Sequence, residues 1–183
     1  GPTADAPPLD ARSCRDQQMS SCMDGLVLSA EQVEFGLVVP GAEAEVGLVM
    51  TNDGDEPLDV LEVSCDSPRY HLTVDSGATG AVAVSPWRLD VGAQGTVTVR
   101  LLAGQGPGTV PGATLSIVVS STAGERTLGL PVTAEVAACP PGRDSCDGEW
   151  GTGCESDLLT AAEHCGGCGD VCSTACVDGE CAC

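Results

Sequence analysis

Thiol groups are the most concentrated reactive groups in this chain. Nine of its twelve cysteines lie in residues 139–183. The pair Cys165 and Cys168 has the spacing at which two thiolates bind a metal or exchange a disulfide. A zinc site would need a second spaced pair, and a thioredoxin-like site would need a strand followed by a helix, which the glycines around the pair do not favour. Structural disulfides are therefore the preferred interpretation, and zinc is the alternative. The cysteines predicted to form disulfides are Cys14, Cys22, Cys65, Cys139, Cys146, Cys154, Cys165, Cys168, Cys172, Cys176, Cys181 and Cys183.

Nine cysteines cannot all pair with one another, so at least one must pair upstream if every thiol is oxidised within the chain. Cys14 and Cys22 are close enough in sequence to close a small loop. Cys65 is then the expected partner of the C-terminal segment, and that bond would clamp the segment to the body of the protein. The alternative pairing joins Cys14 or Cys22 to Cys65.

A group of carboxylates between the first C-terminal cysteines is the best candidate for a metal site. Oxygen donors in a loop folded back by glycines are what Ca²⁺ requires. Their spacing differs from that of an EF-hand loop, so a solvated acidic loop is the other interpretation. No other cofactor is expected. The candidate ligands are Asp144, Asp147, Glu149, Glu155 and Asp157.

Two further positions are candidates for contact with a partner. Trp150 lies in a polar, glycine-containing segment, where it either contacts a partner or forms the small core of a disulfide-bonded module; the second interpretation is favoured. Asp53, Asp55 and Glu56 lie in a dense cluster of turn residues. They either only form the turn or also make a loop that contacts a partner.

The chain lacks the residue patterns of common catalytic sites. Its two histidines are far apart, and neither a Gly-x-Ser-x-Gly nor a His-Glu-x-x-His motif occurs. With no lysine, Schiff-base chemistry and Lys–Asn crosslinks are excluded. An enzyme is not expected.

Composition and charge indicate an exported, acidic protein. The formal net charge is −20, from 27 acidic and seven basic residues. Such a surface repels nucleic acid and attracts basic partners or divalent cations. No apolar run approaches the roughly 20 residues needed to span a bilayer. Gly1-Pro2 resembles the scar left when a tag is removed, so the lack of a signal peptide carries no information.

Short runs rich in valine and leucine, separated by turn residues, predict an antiparallel β-sandwich. The clearest run alternates Ala44, Val46, Leu48 and Met50 with less apolar residues, which is the period of a half-buried strand. Three parts are predicted: a tag scar and extended arm over 1–22, an immunoglobulin-like sandwich over 23–137, and a disulfide-stapled, loop-dominated module over 138–183. Predicted strands cover 26–28, 33–35, 44–50, 58–63, 70–74, 81–84, 96–101, 113–120 and 127–136.

Three motifs in the predicted sandwich resemble the ASPM/SPD-2/Hydin-type immunoglobulin-like domain, a relative of the major sperm protein fold. They are FGLVVPG at 35–41, NDGDEPLDV at 52–60 and GLPVTA at 129–134. The resemblance covers residues 26–137. It implies an interaction or spacer module of exported bacterial surface proteins, without catalytic residues. Phe35 is expected to be a large anchor in a core of small aliphatic side chains.

The C-terminal segment resembles the cysteine-rich modules of myxobacterial-type cell-surface and secreted proteins. The residues that carry this resemblance are Cys-Asp-Gly at 146–148, Gly-Cys-Glu-x-Asp-Leu at 153–158 and His-Cys-Gly-x-Cys-Gly at 164–169. Such modules are often repeated in tandem, and one copy occurs here.

These observations predict a non-enzymatic exported or cell-surface protein that acts in protein–protein interaction, adhesion or assembly of a surface complex. Its expected partner is another protein of the cell envelope or extracellular surface, basic or bridged by Ca²⁺, and not a nucleic acid. A lipid anchor in a longer parent protein stays open. The expected contact surfaces are residues 53–56, the Trp150 loop and a free sheet edge. The alternatives are a structural spacer without a ligand, and a small inhibitor or effector in 139–183.

Overall fold

The computed structural model describes residues 25–74, 87–102 and 104–182, and the backbone alone of 22–23, 79–80 and 82–83. Residues 1–21 of the predicted arm, which include Cys14, lie outside the described residues, as does Cys183. The described part is mainly β, and it contains no α-helix.

Twelve strands form two six-stranded sheets, and the predicted β-sandwich is confirmed. The first sheet has the order β1-β2-β4-β10-β6-β7; the second has the order β3-β12-β11-β5-β8, with β9 also paired to β5. Strand β3 therefore ends its sheet. The strands are β1 (Cys22–Met23), β2 (Leu26–Leu28), β3 (Val33–Val38), β4 (Ala44–Asn52), β5 (Leu58–Cys65), β6 (Tyr70–Val74), β7 (Thr79–Gly80), β8 (Val82–Ala83), β9 (Trp87–Leu89), β10 (Gln94–Leu101), β11 (Gly108–Ser121) and β12 (Gly124–Val136).

The core follows from the alternation of side chains along these strands. In β4, Leu48 and Met50 point inward and are fully buried. The aromatic side chain among the largest fully buried ones is Tyr70, not Phe35. The prediction that Phe35 anchors the core is wrong, because that side chain is only half-buried on the terminal strand β3.

The cysteine-rich segment contains very little regular structure. It has two short hairpins and one turn of 3₁₀-helix, and its small buried cluster consists of three cysteines packed against Ala162. The segment is therefore held by covalent bonds more than by apolar burial. Its elements are β13 (Arg143–Asp144), the 3₁₀ turn (Trp150–Thr152), β14 (Ser156–Asp157), β15 (Cys176–Val177) and β16 (Glu180–Cys181), with β13 paired to β14 and β15 to β16.

The described chain divides into two compact units whose limits differ from the predicted domains. The first unit holds 25–33, the described part of 46–99, and 113–132. The second holds 34–45, 100–112 without residue 103, and 133–182. The cysteine-rich segment thus forms one unit with three segments of the sandwich. In that unit a Cβ at Gly41 would lie 2.7 Å from the Cα of Gly153, so the two backbones touch.

Candidate interaction surface

The eight described cysteines of the C-terminal segment are all in disulfides with one another. Cys165 and Cys168 bond to different partners, which removes both the exchange site and the thiolate pair that their spacing suggested. The sulfurs of Cys165, Cys172 and Cys181 lie within 4.8 Å of one another, but each is already in a disulfide. The bonds join Cys139 to Cys154, Cys146 to Cys168, Cys165 to Cys176 and Cys172 to Cys181.

Cys65 is a free, buried thiol, so the prediction that it forms a disulfide to the C-terminal segment is wrong. It ends β5, where it lies opposite Leu115 of β11 and is 7% exposed. Burial raises the pKa of this thiol, against an opposing hydrogen bond from the backbone of Ser67. The thiol therefore stays protonated and shielded from oxidants. The pairings of Cys14, Cys22 and Cys183 lie outside the described residues.

The acidic loop uses its carboxylates as acceptors for its own backbone. Asp147 accepts hydrogen bonds from the Glu149 N–H (2.8 Å) and the Ser145 hydroxyl (3.1 Å), and Glu155 accepts one from the Cys146 N–H (3.0 Å). Asp144 accepts one from the Ser145 N–H (2.9 Å). These bonds satisfy turns that few other contacts support.

Asp157 makes the most complete set of such bonds. Its carboxylate accepts from the N–H groups of Leu159 (2.9 Å) and Thr160 (3.2 Å) and from the Thr160 hydroxyl (2.8 Å). The Leu159 bond is the largest cause that lowers the pKa of Asp157. The pKa of Glu155 is also lowered, first by a hydrogen bond from its own backbone.

The structure does not gather these carboxylates into a compact ligand set. Among the described residues, no three of the five candidate carboxylates place an oxygen within 4.8 Å of one another. Ca²⁺ binding by Asp144, Asp147, Glu149, Glu155 and Asp157 stays a prediction. The hydrogen bonds described above explain four of these carboxylates, those of Asp144, Asp147, Glu155 and Asp157, as acceptors within turns; Glu149 takes part through its backbone.

Trp150 packs within its own chain. A Cβ at Gly106 would lie 2.9 Å from the indole Nε1, so the ring lies directly against that glycine. The side chain is half-buried, and it covers the stretch that precedes β11 instead of a core within the disulfide segment. A role of Trp150 as a partner contact stays a prediction.

The turn after β4 is built around a buried amide. Asn52 has no exposed surface. Its side-chain nitrogen donates to the carbonyls of Glu56 and Leu89, both at 2.9 Å, and its Oδ1 accepts from the Gly54 N–H at 3.0 Å. Asp53, Asp55 and Glu56 are exposed on the surface of this turn, where a partner can reach them.

Strand β3 presents exposed apolar side chains at the end of its sheet. Val33 and Val38 both point inward, although residues five apart in a regular strand face opposite sides. The alternation is interrupted at Gly36, which has φ +63°, a left-handed conformation that glycine adopts readily. We call this irregularity the Gly36 bulge, by analogy with β-bulges that contain a left-handed glycine. The bulge turns Leu37 outward, and Leu37 and Val39 are 67% and 66% exposed.

A groove of about 260 Å³ lies beside the bulge. Glu34, Gly36 and Leu37 of β3 form one wall. Thr133 and Glu135 of β12 contribute to the other. The groove carries two carboxylates and no basic side chain.

Sequence reasoning anticipated a free sheet edge but not its position. The signal for the bulge was Gly36 between Phe35 and the apolar run at 37–39. That pattern is indistinguishable from a continuous strand unless the pairing with β12 is known. Asn52 was assigned to the turn cluster as a whole, because sequence alone does not separate the buried amide from its exposed acidic neighbours.

Comparison with known proteins identifies similar folds only. No protein-family model and no curated protein matches the chain. The PapD-like domain 7 of human CEP192, an ASH domain, is 14% identical, with a TM-score of 0.47 over 68% of this chain and 92% of that one. A Porphyromonas gingivalis protein of unknown function is 21% identical, with a TM-score of 0.49 over 64% of this chain and 50% of that one. The Caenorhabditis elegans MSP family member WR4 is 10% identical, with a TM-score of 0.41 over 63% of this chain and 100% of that one. The resemblance of 138–183 to myxobacterial-type modules stays a prediction.

Proposed function

We propose that this protein is exported and non-enzymatic, and that it binds another protein of the cell envelope or extracellular surface. The partner adds an extended segment beside the C-terminal half of β3. The observation that carries this proposal is the exposure of Leu37 on the terminal strand β3 and of Val39 directly after that strand. Terminal strands recruit extended segments through their outward backbone groups, and neighbouring side chains supply specificity.

The backbone of this stretch is suited to the addition of a strand. The Val38 carbonyl accepts a hydrogen bond from the Ala137 N–H at 2.8 Å, on the inner side. Adjacent residues of a strand alternate the side to which their backbone groups point, so Leu37 directs its own groups away from β12. An incoming strand would pair with them.

The disulfides support an exported location. Four bonds in a short segment fit an oxidising compartment, where they replace the apolar core that such a segment lacks. As a separate observation, the described part of the chain contains no membrane-spanning helix.

The histidines support a role without catalysis. His164 accepts the Gly169 N–H on its Nδ1 at 3.1 Å, so that nitrogen is occupied in a turn. His71 lies on β6 in the other compact unit. Neither forms a nucleophile–base pair with a described serine or cysteine.

Photo-crosslinking tests the location of the binding surface. A benzophenone amino acid replaces Leu37 in the full chain, and the same residue replaces Val91, an exposed apolar side chain in the other compact unit, as the control. Each variant is irradiated with an envelope fraction from the source organism. We expect a discrete crosslinked protein from position 37 that is absent from position 91. Identical products at both positions, or none at position 37, would refute a binding surface at β3.

A further inference from the structure

We infer that the groove beside Gly36 is a subsite for an arginine side chain of the partner's extended segment. This inference rests on the proposed function, because an added strand must place that side chain. It concerns the chemistry of the partner and not only its location.

The missing side chain at Gly36 opens the path into the groove. A Cβ at this position would meet no atom within 4 Å, so the surface above the glycine is open. A side chain from an added strand can therefore cross β3 there. Strands lie about 4.8 Å apart, so β12 is about 10 Å from the added backbone, and long side chains span most of that distance.

The far wall of the groove selects a cation. Glu135 is exposed on β12, and its carboxylate lines the groove. Thr133 lies beside Glu135 on the same wall, and its methyl group suits an aliphatic stem. Arginine fits better than lysine, because its planar guanidinium pairs with carboxylates through two parallel hydrogen bonds and is more weakly hydrated.

The same charges disfavour a second copy of this chain as the occupant. A copy paired at β3 would bring its own Glu34 to this edge, and like charges on neighbouring strands are destabilising. The net charge of −20 adds a longer-range repulsion between copies. A basic segment of another protein meets neither penalty.

Synthetic peptides test the subsite directly. The probe is a capped peptide of alternating threonine and valine with one central arginine, and the comparison peptides carry lysine or glutamine at that position. Binding to the full, isotopically labelled protein is followed by NMR up to millimolar peptide, at low and at high salt. We expect the arginine peptide to bind about fivefold more tightly than the glutamine peptide at low salt, with lysine between them. The difference shrinks at high salt.

Two protein variants locate the effect. Glu135→Gln removes the carboxylate that the arginine would contact on β12, so arginine and glutamine peptides should then bind equally. Glu125→Gln makes the same change on the same strand in the other compact unit, and it keeps the preference. A preference that survives in Glu135→Gln would overturn the subsite.

The outcomes separate the two proposals. If all peptides perturb the amides of 36–39 with equal affinity, strand addition stands and the arginine subsite is refuted. If no peptide perturbs these amides, the strand-addition proposal fails, and the subsite fails with it.

Discussion

Replacing Asn52 by alanine should remove the amide that joins three segments of the sandwich. The side chain bonds to the Glu56 carbonyl across its own turn and to the Leu89 carbonyl at the end of β9. Its backbone N–H also donates to the Ala93 carbonyl at 3.0 Å, and its carbonyl accepts from Gly92 at 2.7 Å. Asn52→Ala keeps these backbone bonds, so the change isolates the side chain.

The expected loss in the free energy of unfolding is about 3 kcal/mol. Two donated hydrogen bonds and one accepted bond contribute about 1 kcal/mol each, and the fully buried position prevents water from replacing them without rearrangement. Asn52→Asp is a sharper variant, because it places oxygen against two carbonyl groups. Its folded-state pKa is raised above the unfolded value. The added destabilisation is therefore small below that unfolded value and grows as the pH rises.

Urea denaturation followed by far-UV circular dichroism measures both effects. Asp53→Ala is the matched control, since this exposed neighbour lies in the same turn, and it should change the free energy by less than about 0.5 kcal/mol. A loss below about 1 kcal/mol for Asn52→Ala, with an unchanged slope, would refute the reasoning that this amide holds the turn to β9.

Four other perturbations test separate parts of the structure. Gly36→Ala should lower the free energy of unfolding by about 1 kcal/mol, through the strain of a left-handed backbone alone. Gly41→Ala should lower it further, because the new Cβ also meets the backbone of Gly153. Urea denaturation compares the two variants. Cys65 should resist iodoacetamide in the native protein and react after unfolding, as peptide mapping would show; rapid native labelling would contradict its burial. Hydrogen bonds to the ionised carboxylate lower the pKa of Asp157 in the folded protein. Their contribution to stability is therefore complete above the ordinary pKa of 3.8, and it is lost as the pH falls through the lower pKa of the folded state. Hydrogen exchange at the amides of 158–160 should become faster, relative to the unfolded chain, over that pH range. EDTA should lower the melting temperature by several degrees if the predicted Ca²⁺ site is occupied, and it should leave the melting temperature unchanged if the carboxylates of the acidic loop serve only as acceptors in turns.

The sequence was most informative where structure depends on local alternation. The predicted strands 26–28 and 70–74 coincide with β2 and β6. Apolar residues at every second position predict which side chains of a strand are buried, and this prediction does not require knowing which strand it pairs with. The short strand β9 was missed, because its three residues are too few to show a period and are held by pairing with the distant β5.

The features that matter most for binding depend on tertiary context. Eight cysteines allow 105 pairings, so the observed connectivity could not be read from spacing. The parity argument led to Cys65 because it assumed that every thiol is oxidised. A thiol that is buried in the sandwich can instead stay reduced, as Cys65 does. The sequence does not show which strand ends are buried.

The bulge at Gly36 bears on two requirements of a terminal strand that binds a partner. The strand must avoid pairing with another copy of the chain, and it must still pair with the partner. An exposed apolar edge promotes pairing between copies, and bulges and charges are the usual means of preventing it. Here the bulge turns Leu37 outward and opens the groove, while Glu34 and Glu135 make the edge repulsive to another acidic copy. Repulsion between copies and attraction of a basic segment therefore have the same source. An edge protected in this way can stay exposed without self-association and still offer its backbone to a partner of opposite charge.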